Sequence, residues 1–170
     1  GASTLLFITT AHVFARFIAA LAVTAGVKVG HQPDTKKLVE SMTSFSPTFL
    51  LAVPRVFEKV FNVSEQKAEA GGKGRIFRKA AEVAVAHSKA QDAGKVPLGL
   101  ALQFRVFDAL VYKKLKAALG GRVRYAVSGS APLSTFLGHF YRSLGIRILE
   151  GYGLTETTAP ATVNRPDKFK

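Results

Sequence analysis

Phe49-Leu50-Leu51-Ala52-Val53 is apolar at every position. A strand with one wet face alternates apolar and polar residues, whereas a strand buried on both faces of a parallel sheet has no need to. The run therefore reads as an interior strand of a parallel sheet. Upstream, Ser3–Thr10 ("STLLFITT") is β-branched and aromatic and reads as another buried strand. Ala11–Ala25 turns helical and ends at Gly26, and Val27-Lys28-Val29 is a short second strand. "QPDT" at 32–35 is a turn with a helix cap. The helix after it places Leu38, Met42 and Phe45 on one face, with Pro47 beyond its end.

Downstream of the apolar run the pattern changes. Residues 54–119 read as helix after helix, broken by "AGGKG" at 70–74 and "AGKVPLG" at 93–99. Leu100, Phe104, Phe107, Val111, Leu115 and Leu119 form one apolar stripe, which Gly120-Gly121 stops. Strand–helix alternation then returns. Arg124–Ser128 is a strand, Pro132–Leu144 a helix with Leu133, Leu137, Phe140 and Leu144 inward, and Ile146–Leu149 a strand. The prediction is an α/β fold with a mostly parallel sheet flanked by helices, right-handed crossovers, and a long all-helical insertion at about 54–121. No internal repeat or low-complexity segment interrupts it.

The bulk properties fit this reading. At 170 residues and 48% hydrophobic the chain suits one domain, which would bury roughly 70% of its unfolded surface. It has no cysteine, which excludes a disulfide framework and thiolate metal sites and suits a reducing compartment. The net charge is +13, and residues 67–124 hold 13 Lys or Arg against 4 Asp or Glu. Such a field favours phosphorylated ligands, nucleic acid or an anionic membrane, although solvated helix faces give the same pattern. No secretory signal is evident. Phe17–Val27 is short of the roughly 20 apolar residues a bilayer requires, and Arg16 interrupts it upstream.

In parallel sheets of this kind, ligands bind beyond the carboxyl ends of the strands. Three stretches fall there: Thr9-Thr10-Ala11-His12, Ser128-Gly129-Ser130-Ala131-Pro132, and Glu150-Gly151-Tyr152-Gly153-Leu154-Thr155-Glu156. In the third, Gly151 and Gly153 let backbone approach a flat ligand. Tyr152 can lay its ring on a base. Thr155 offers a hydroxyl to a phosphate, and Glu156 a hard oxygen to Mg²⁺. The same residues also read as a Gly-rich turn with a capping Thr and a solvated Glu. In the second, backbone N–H groups could meet a ligand at a helix N-terminus, or Pro132 could simply open an ordinary helix at its first position. G-x-S-x-G is absent, which argues against a serine-hydrolase elbow. His12 reads as a cap, a packed ring or a catalyst. No His/His/Glu spacing points to zinc.

"GYGLTET" at 151–157, preceded by "VSGSAPLS" at 127–134, resembles the adenylate-forming acyl-CoA synthetase superfamily. "AHVFAR" at 11–16 and "VPRVFEKVF" at 53–61 resemble its long-chain fatty-acid branch. The order and spacing of all four motifs fit, as does the long helical interval between "PRVFEK" and "SGSAP". The likeness covers essentially the whole chain. One departure is Thr9-Thr10, where the family often has Pro-Leu. This affects the turn more than the reaction.

The resemblance implies that residues 1–170 are the central part of an AMP-binding (adenylation) domain. Such a ligase joins a fatty acid to coenzyme A through an acyl-adenylate, with ATP as co-substrate and Mg²⁺ as cofactor. Gly151, Tyr152 and Gly153 would hold adenine, and Gly129, Ser130 and Ala131 would line the other side of the base. Pro132, Glu150 and Leu154 complete those nucleotide-contacting stretches. Thr155 would hold the α-phosphate and Glu156 the metal. His12 would sit beside the reacting carboxylate, and with Ser128 and Gly129 would border the acyl channel. The family's upstream phosphate loop and its C-terminal domain with the catalytic Lys are not found in this sequence. The chain by itself is therefore expected to be inactive and to self-associate. The location implied is cytoplasmic, with peripheral contact at the inner face of a membrane, and nucleic acid is not an expected partner. The competing readings are a basic membrane- or nucleic-acid-binding module, resting on charge alone, and a structural piece without turnover.

Overall fold

A computed structural model of the chain describes residues 1–167. Strands β1 (Ser3–Leu6) and β2 (Lys28–His31) pair in parallel, with helix α1 (Val13–Thr24) between them in sequence. Strands β3 (Phe49–Ala52), β4 (Tyr125–Ser128) and β5 (Arg147–Leu154) also run parallel, and β6 (Ala159–Val163) returns antiparallel along the far half of β5. The two sheets abut at β1 and β3. There the Thr48 N–H donates to the Ser3 carbonyl (2.9 Å), and the Ser3 N–H donates to Thr48 Oγ1 (2.8 Å).

The apolar run of β3 behaves as its composition requires. Leu50 and Ala52 face a large core beneath the helices, together with Leu5, Ala126 and Ile148 of the neighbouring strands. Leu51 faces the other way with Leu6, against Ala15 and Ile18 of α1. The sheet is thus covered on both sides, and burying each leucine side chain contributes roughly 1.5–3 kcal/mol.

The helical layer runs α2 (Leu38–Phe45), α3 (Pro54–Ala70), α4 (Gly74–Asp92), α5 (Leu98–Phe107), α6 (Lys113–Ala118) and α7 (Thr135–Ser143). Phe61 of α3 is its aromatic hinge point. Its ring meets Phe77 (5.3 Å), Phe136 (5.6 Å) and Phe140 (5.0 Å) edge-on, the geometry aromatic quadrupoles favour. Two buried tyrosines tie helices together through their hydroxyls. Tyr112 donates to the Ala80 carbonyl (2.7 Å) and Tyr141 to the Phe57 carbonyl (2.8 Å). Burial raises both phenol pKa values well above the ordinary range, with nearby Asp108 adding to the effect at Tyr112.

Several expected boundaries shift. β1 ends at Leu6, not Thr10, because residues 7–12 form the turn into α1. β2 occupies Lys28–His31 and β3 stops at Ala52. The stripe Leu100 to Leu119 is not one α-helix, since Asp108–Tyr112 forms a π turn between α5 and α6. Steps of four drift about 40° each on a 3.6-residue helix, and the wider turn absorbs that drift. α7 begins at Thr135, so Pro132 lies ahead of the helix and not at its first position. The strand expected to end at Leu149 continues to Leu154, and β6 was not anticipated.

Candidate active site at the strand ends

Parallel pairing of β4 and β5 places Ser128 opposite Glu150. The two motif stretches that follow those residues therefore start side by side. A Cβ on Gly129 would lie 3.5 Å from the Gly151 carbonyl oxygen, so the "SGSAP" turn and the "GYG" segment touch through backbone. Ser130 has φ +72°, a conformation a non-glycine residue adopts only where its surroundings hold it. The Leu133 N–H donates to Glu150 Oε1 (2.9 Å). That bond fastens the turn to β5 and satisfies an N–H ahead of α7. It gives Glu150 a structural task that its place in the motif did not disclose.

Gly151–Leu154 is the outer half of β5, paired with β6 through a register shift between Tyr152 and Gly153. The glycines lie in a strand, not in a strand-leaving turn as the sequence suggested. A Cβ on Gly151 would meet Val163 Cγ2 at 3.4 Å and the Thr162 carbonyl at 3.5 Å. That closeness comes from β6, a partner not visible in the motif. Tyr152 is 65% exposed.

Thr155–Thr157 forms a 3₁₀ turn closing the β5–β6 hairpin. Thr157 Oγ1 accepts from the Leu154 N–H (3.0 Å) and Thr158 takes φ +56°. Thr157 thus does the capping. Thr155 and Glu156 are left exposed at the tip, with no side-chain hydrogen bond or ion pair among the described residues. Glu156 has no companion ligands, since no group of three His, Asp or Glu side chains suited to a metal exists among the described residues. A lone carboxylate fits Mg²⁺ that arrives with a phosphate group, because Mg²⁺ keeps its waters and takes one or two carboxylates. It does not fit a preformed metal cage.

His12 caps α1, its Nδ1 accepting from the Phe14 N–H (3.2 Å). The cap reading is therefore correct for that nitrogen, and Nε2 is not used by the cap. α1 packs against β6, which brings the His12 helix to the hairpin. Ser128 Oγ is buried without a hydrogen-bond partner, an expensive arrangement at a strand end. Beside Glu150 lies a cavity of about 330 Å³ lined by Ser134, Thr135, His139 and Arg142. Of those four, the sequence motifs include only Ser134, the last residue of "VSGSAPLS". Ser88 Oγ lies 3.0 Å from His139 Nδ1, and Arg142 pairs with Asp92.

A family model described as AMP-binding enzyme matches residues 1–170. The long-chain-fatty-acid–CoA ligase FadD15 of Mycobacterium tuberculosis is 49% identical over 170 residues, covering 100% of this chain and 28% of that protein. Long chain acyl-CoA synthetase 4 of Arabidopsis thaliana is 34% identical over 169 residues, covering 97% and 24%. Among solved structures, the A domain of carboxylic acid reductase from Segniliparus rugosus, in complex with AMP and a co-purified carboxylic acid, has a similar fold. Its TM-score is 0.68 at 23% identity, over 95% of this chain and 22% of that one. The chain spans about a quarter of the length of these curated relatives. Adjoining strand ends, a small-residue turn locked against a Gly-Tyr-Gly strand, and a family match from end to end lead to one conclusion: this chain belongs to the AMP-binding enzymes.

Proposed function

We propose that this chain supplies the adenine, α-phosphate and metal side of the active site of a long-chain fatty-acid–CoA ligase, as the central part of its adenylation domain. The observation that carries the reading is the β4–β5 register, with Ser128 opposite Glu150. It makes one mouth out of the two stretches that resemblance assigns to the nucleotide. Tyr152 stacks on adenine, and the backbone of Gly129, Ser130 and Ala131 borders the base. Thr155 donates its hydroxyl to the α-phosphate. His12 positions the fatty-acid carboxylate, and Ser128 with Gly129 borders the acyl chain.

The reaction has two steps. A carboxylate oxygen attacks the α-phosphorus of ATP as the bond to pyrophosphate breaks. The thiol of coenzyme A then attacks the acyl carbonyl, and AMP leaves. Glu156 would hold Mg²⁺, which when bound neutralises charge on the phosphate oxygens. The residues in the chain contribute placement and hydrogen bonds, and no lysine is assigned to the chemistry. The 170-residue chain is accordingly expected to bind nucleotide without turnover.

The test is titration of the chain with AMP, followed by amide chemical shifts. Shifts should appear at Gly129–Ala131 and Gly151–Glu156, and Tyr152→Ala should weaken binding by about tenfold, as loss of one stacked base does. Equal response to non-specific RNA would favour a basic module instead. In a longer ligase carrying this segment, Glu156→Gln should lower adenylation by about a hundredfold and leave fatty-acid binding intact. Pyrophosphate release near the wild-type rate at limiting Mg²⁺ contradicts the metal role.

Two partner readings extend the proposal. Among the described residues β2 pairs only with β1, and Leu21 and Val23 of α1 are exposed. An open edge beside apolar side chains favours self-association of the chain, which light scattering across a concentration series would measure. On α5 and the π turn, Leu98, Leu102, Val106 and Leu110 are exposed, with Arg105 among them in sequence and Lys113 and Lys114 just after them. This favours peripheral contact with an anionic membrane. No helix among the described residues is long and apolar enough to cross one.

A further inference from the structure

The helical layer holds a cavity of about 570 Å³, bounded by the far half of α3, the start of α4, the π turn and α6. Val60, Phe77 and Leu115, all buried, form part of its wall. Lys67, Lys73 and Lys114 also line it, and no carboxylate does. None of these three ammonium groups has a hydrogen bond or ion pair among the described residues. The nearby acids are engaged elsewhere: Glu65 and Glu69 pair with Arg78, and Asp108 with Lys116.

The cavity lies at the opposite end of the sheet from the candidate active site. α3 starts directly after the carboxyl end of β3, and the cavity touches its far half. α6 precedes the start of β4. A ligand here would not meet the β4–β5 tips.

We propose that this cavity binds a single-chain amphiphile with an anionic head group. Ligand sites are mostly apolar clefts of about 300–1,000 Å³ with a few polar groups that fix orientation, and this one falls in that range. Three unpaired cations around an apolar opening repel one another and draw in an anion. The apolar wall gives water few partners and suits a hydrocarbon chain. A carboxylate or phosphate monoester head meets the lysines, while a cationic head is repelled. The charge, volume and lining of this cavity do not depend on what the strand ends bind.

The experiment is calorimetric titration of the chain with dodecanoate, dodecyl phosphate, dodecyltrimethylammonium and inorganic phosphate, all below micelle formation. The two anionic amphiphiles should bind once per chain, and inorganic phosphate and the cation should not. Binding of dodecyl phosphate without dodecanoate supports the proposal and restricts the head to phosphate. Lys67→Glu and Lys114→Glu should each weaken binding by about tenfold, the usual loss with a charge-assisted contact. Ala118→Phe should block the cavity. If that variant fails to fold, the two exposed lysine variants still decide the matter. Amide shifts should fall within 63–77 and 110–118. Shifts at Gly151–Glu156 instead, equal uptake of the cation, or indifference to the lysine variants would each overturn the site. So would a dimer that Ala118→Phe dissociates, which would make a second copy of the chain the occupant.

Discussion

Gly120 and Gly121 adjoin in sequence, share a left-handed backbone, and differ in what surrounds them. Gly120 has φ +86°, and a Cβ there would lie 2.5 Å from the Met42 carbonyl oxygen and 2.7 Å from Ser46 Cα. Gly121 has φ +72° and nothing within 4 Å of a Cβ. Gly121→Ala should therefore cost about 1–2 kcal/mol, the left-handed penalty alone. Gly120→Ala adds a collision with backbone that cannot swing aside, and should lose several kcal/mol in total. Urea midpoints of the two variants provide the measure. Equal losses would mean that the end of α2 yields at no cost. The pair shows why a stop signal read from "GG" was right in position and silent in cause: Gly120 ends α6, its N–H donating to the Ala117 carbonyl (2.9 Å) while that of Gly121 donates to the Lys116 carbonyl (2.8 Å), and the same Gly120 admits α2 to its flank.

His87 of α4 stacks on Phe104 of α5 with ring centroids 4.0 Å apart, and its Nδ1 is buried without a partner. Burial lowers its pKa below the ordinary histidine value. Above about pH 6.5 both folded and unfolded states are neutral and His87 contributes no pH dependence. Below it the unfolded state takes up the proton first, so stability falls as pH drops towards the folded pKa. His87→Phe keeps a stacked ring and removes the titration. Its stability should decline less than that of the parent between about pH 6.5 and 5, followed by thermal melting at each pH. Parallel declines would show that another group titrates there. Elements differ in how well such sequence patterns disclose them. β3 was legible because burial on both faces leaves no polar position. The α5–α6 stripe was legible as apolar spacing but not as a π turn, since steps of four look alike on either helix until phase accumulates. β6 was hidden because Pro160 reads as a breaker, though an edge strand tolerates it. Without β6, Gly151 and Gly153 looked like a turn. The mouth formed by Gly129 and Gly151 was legible as two strand ends, while the Glu150–Leu133 bond that locks it needed the register.

The molecule is a parallel sheet sealed unequally. Helices α2–α7 bury one face with a large core, whereas on the other face Ala15 and Ile18 of α1 pack with Leu6 and Leu51 of the sheet in a smaller cluster. β1 and β2 make their own ladder and join β3 without entering its strand pairing. The Thr48 hydroxyl bridges that join, accepting from the Ser3 N–H (2.8 Å) and donating to the Ser3 carbonyl (3.1 Å). His12 stands on the weaker side, at the head of α1, and the hairpin bearing Glu156 is rooted in the stronger one. Their mutual placement then depends on how firmly β1, α1 and β2 stay docked. Proteins open in cooperative units, and those with fewer buried contacts open first. Thr48→Val keeps the shape and removes both side-chain bonds, leaving the Ser3 N–H without its acceptor at a cost of about 1–3 kcal/mol. Amide exchange in β1, β2 and α1 should therefore quicken, while β4 and α7 keep their protection. If Thr48→Val instead speeds exchange uniformly across the chain, the two sheets open as one, and His12 is held as rigidly as Glu156.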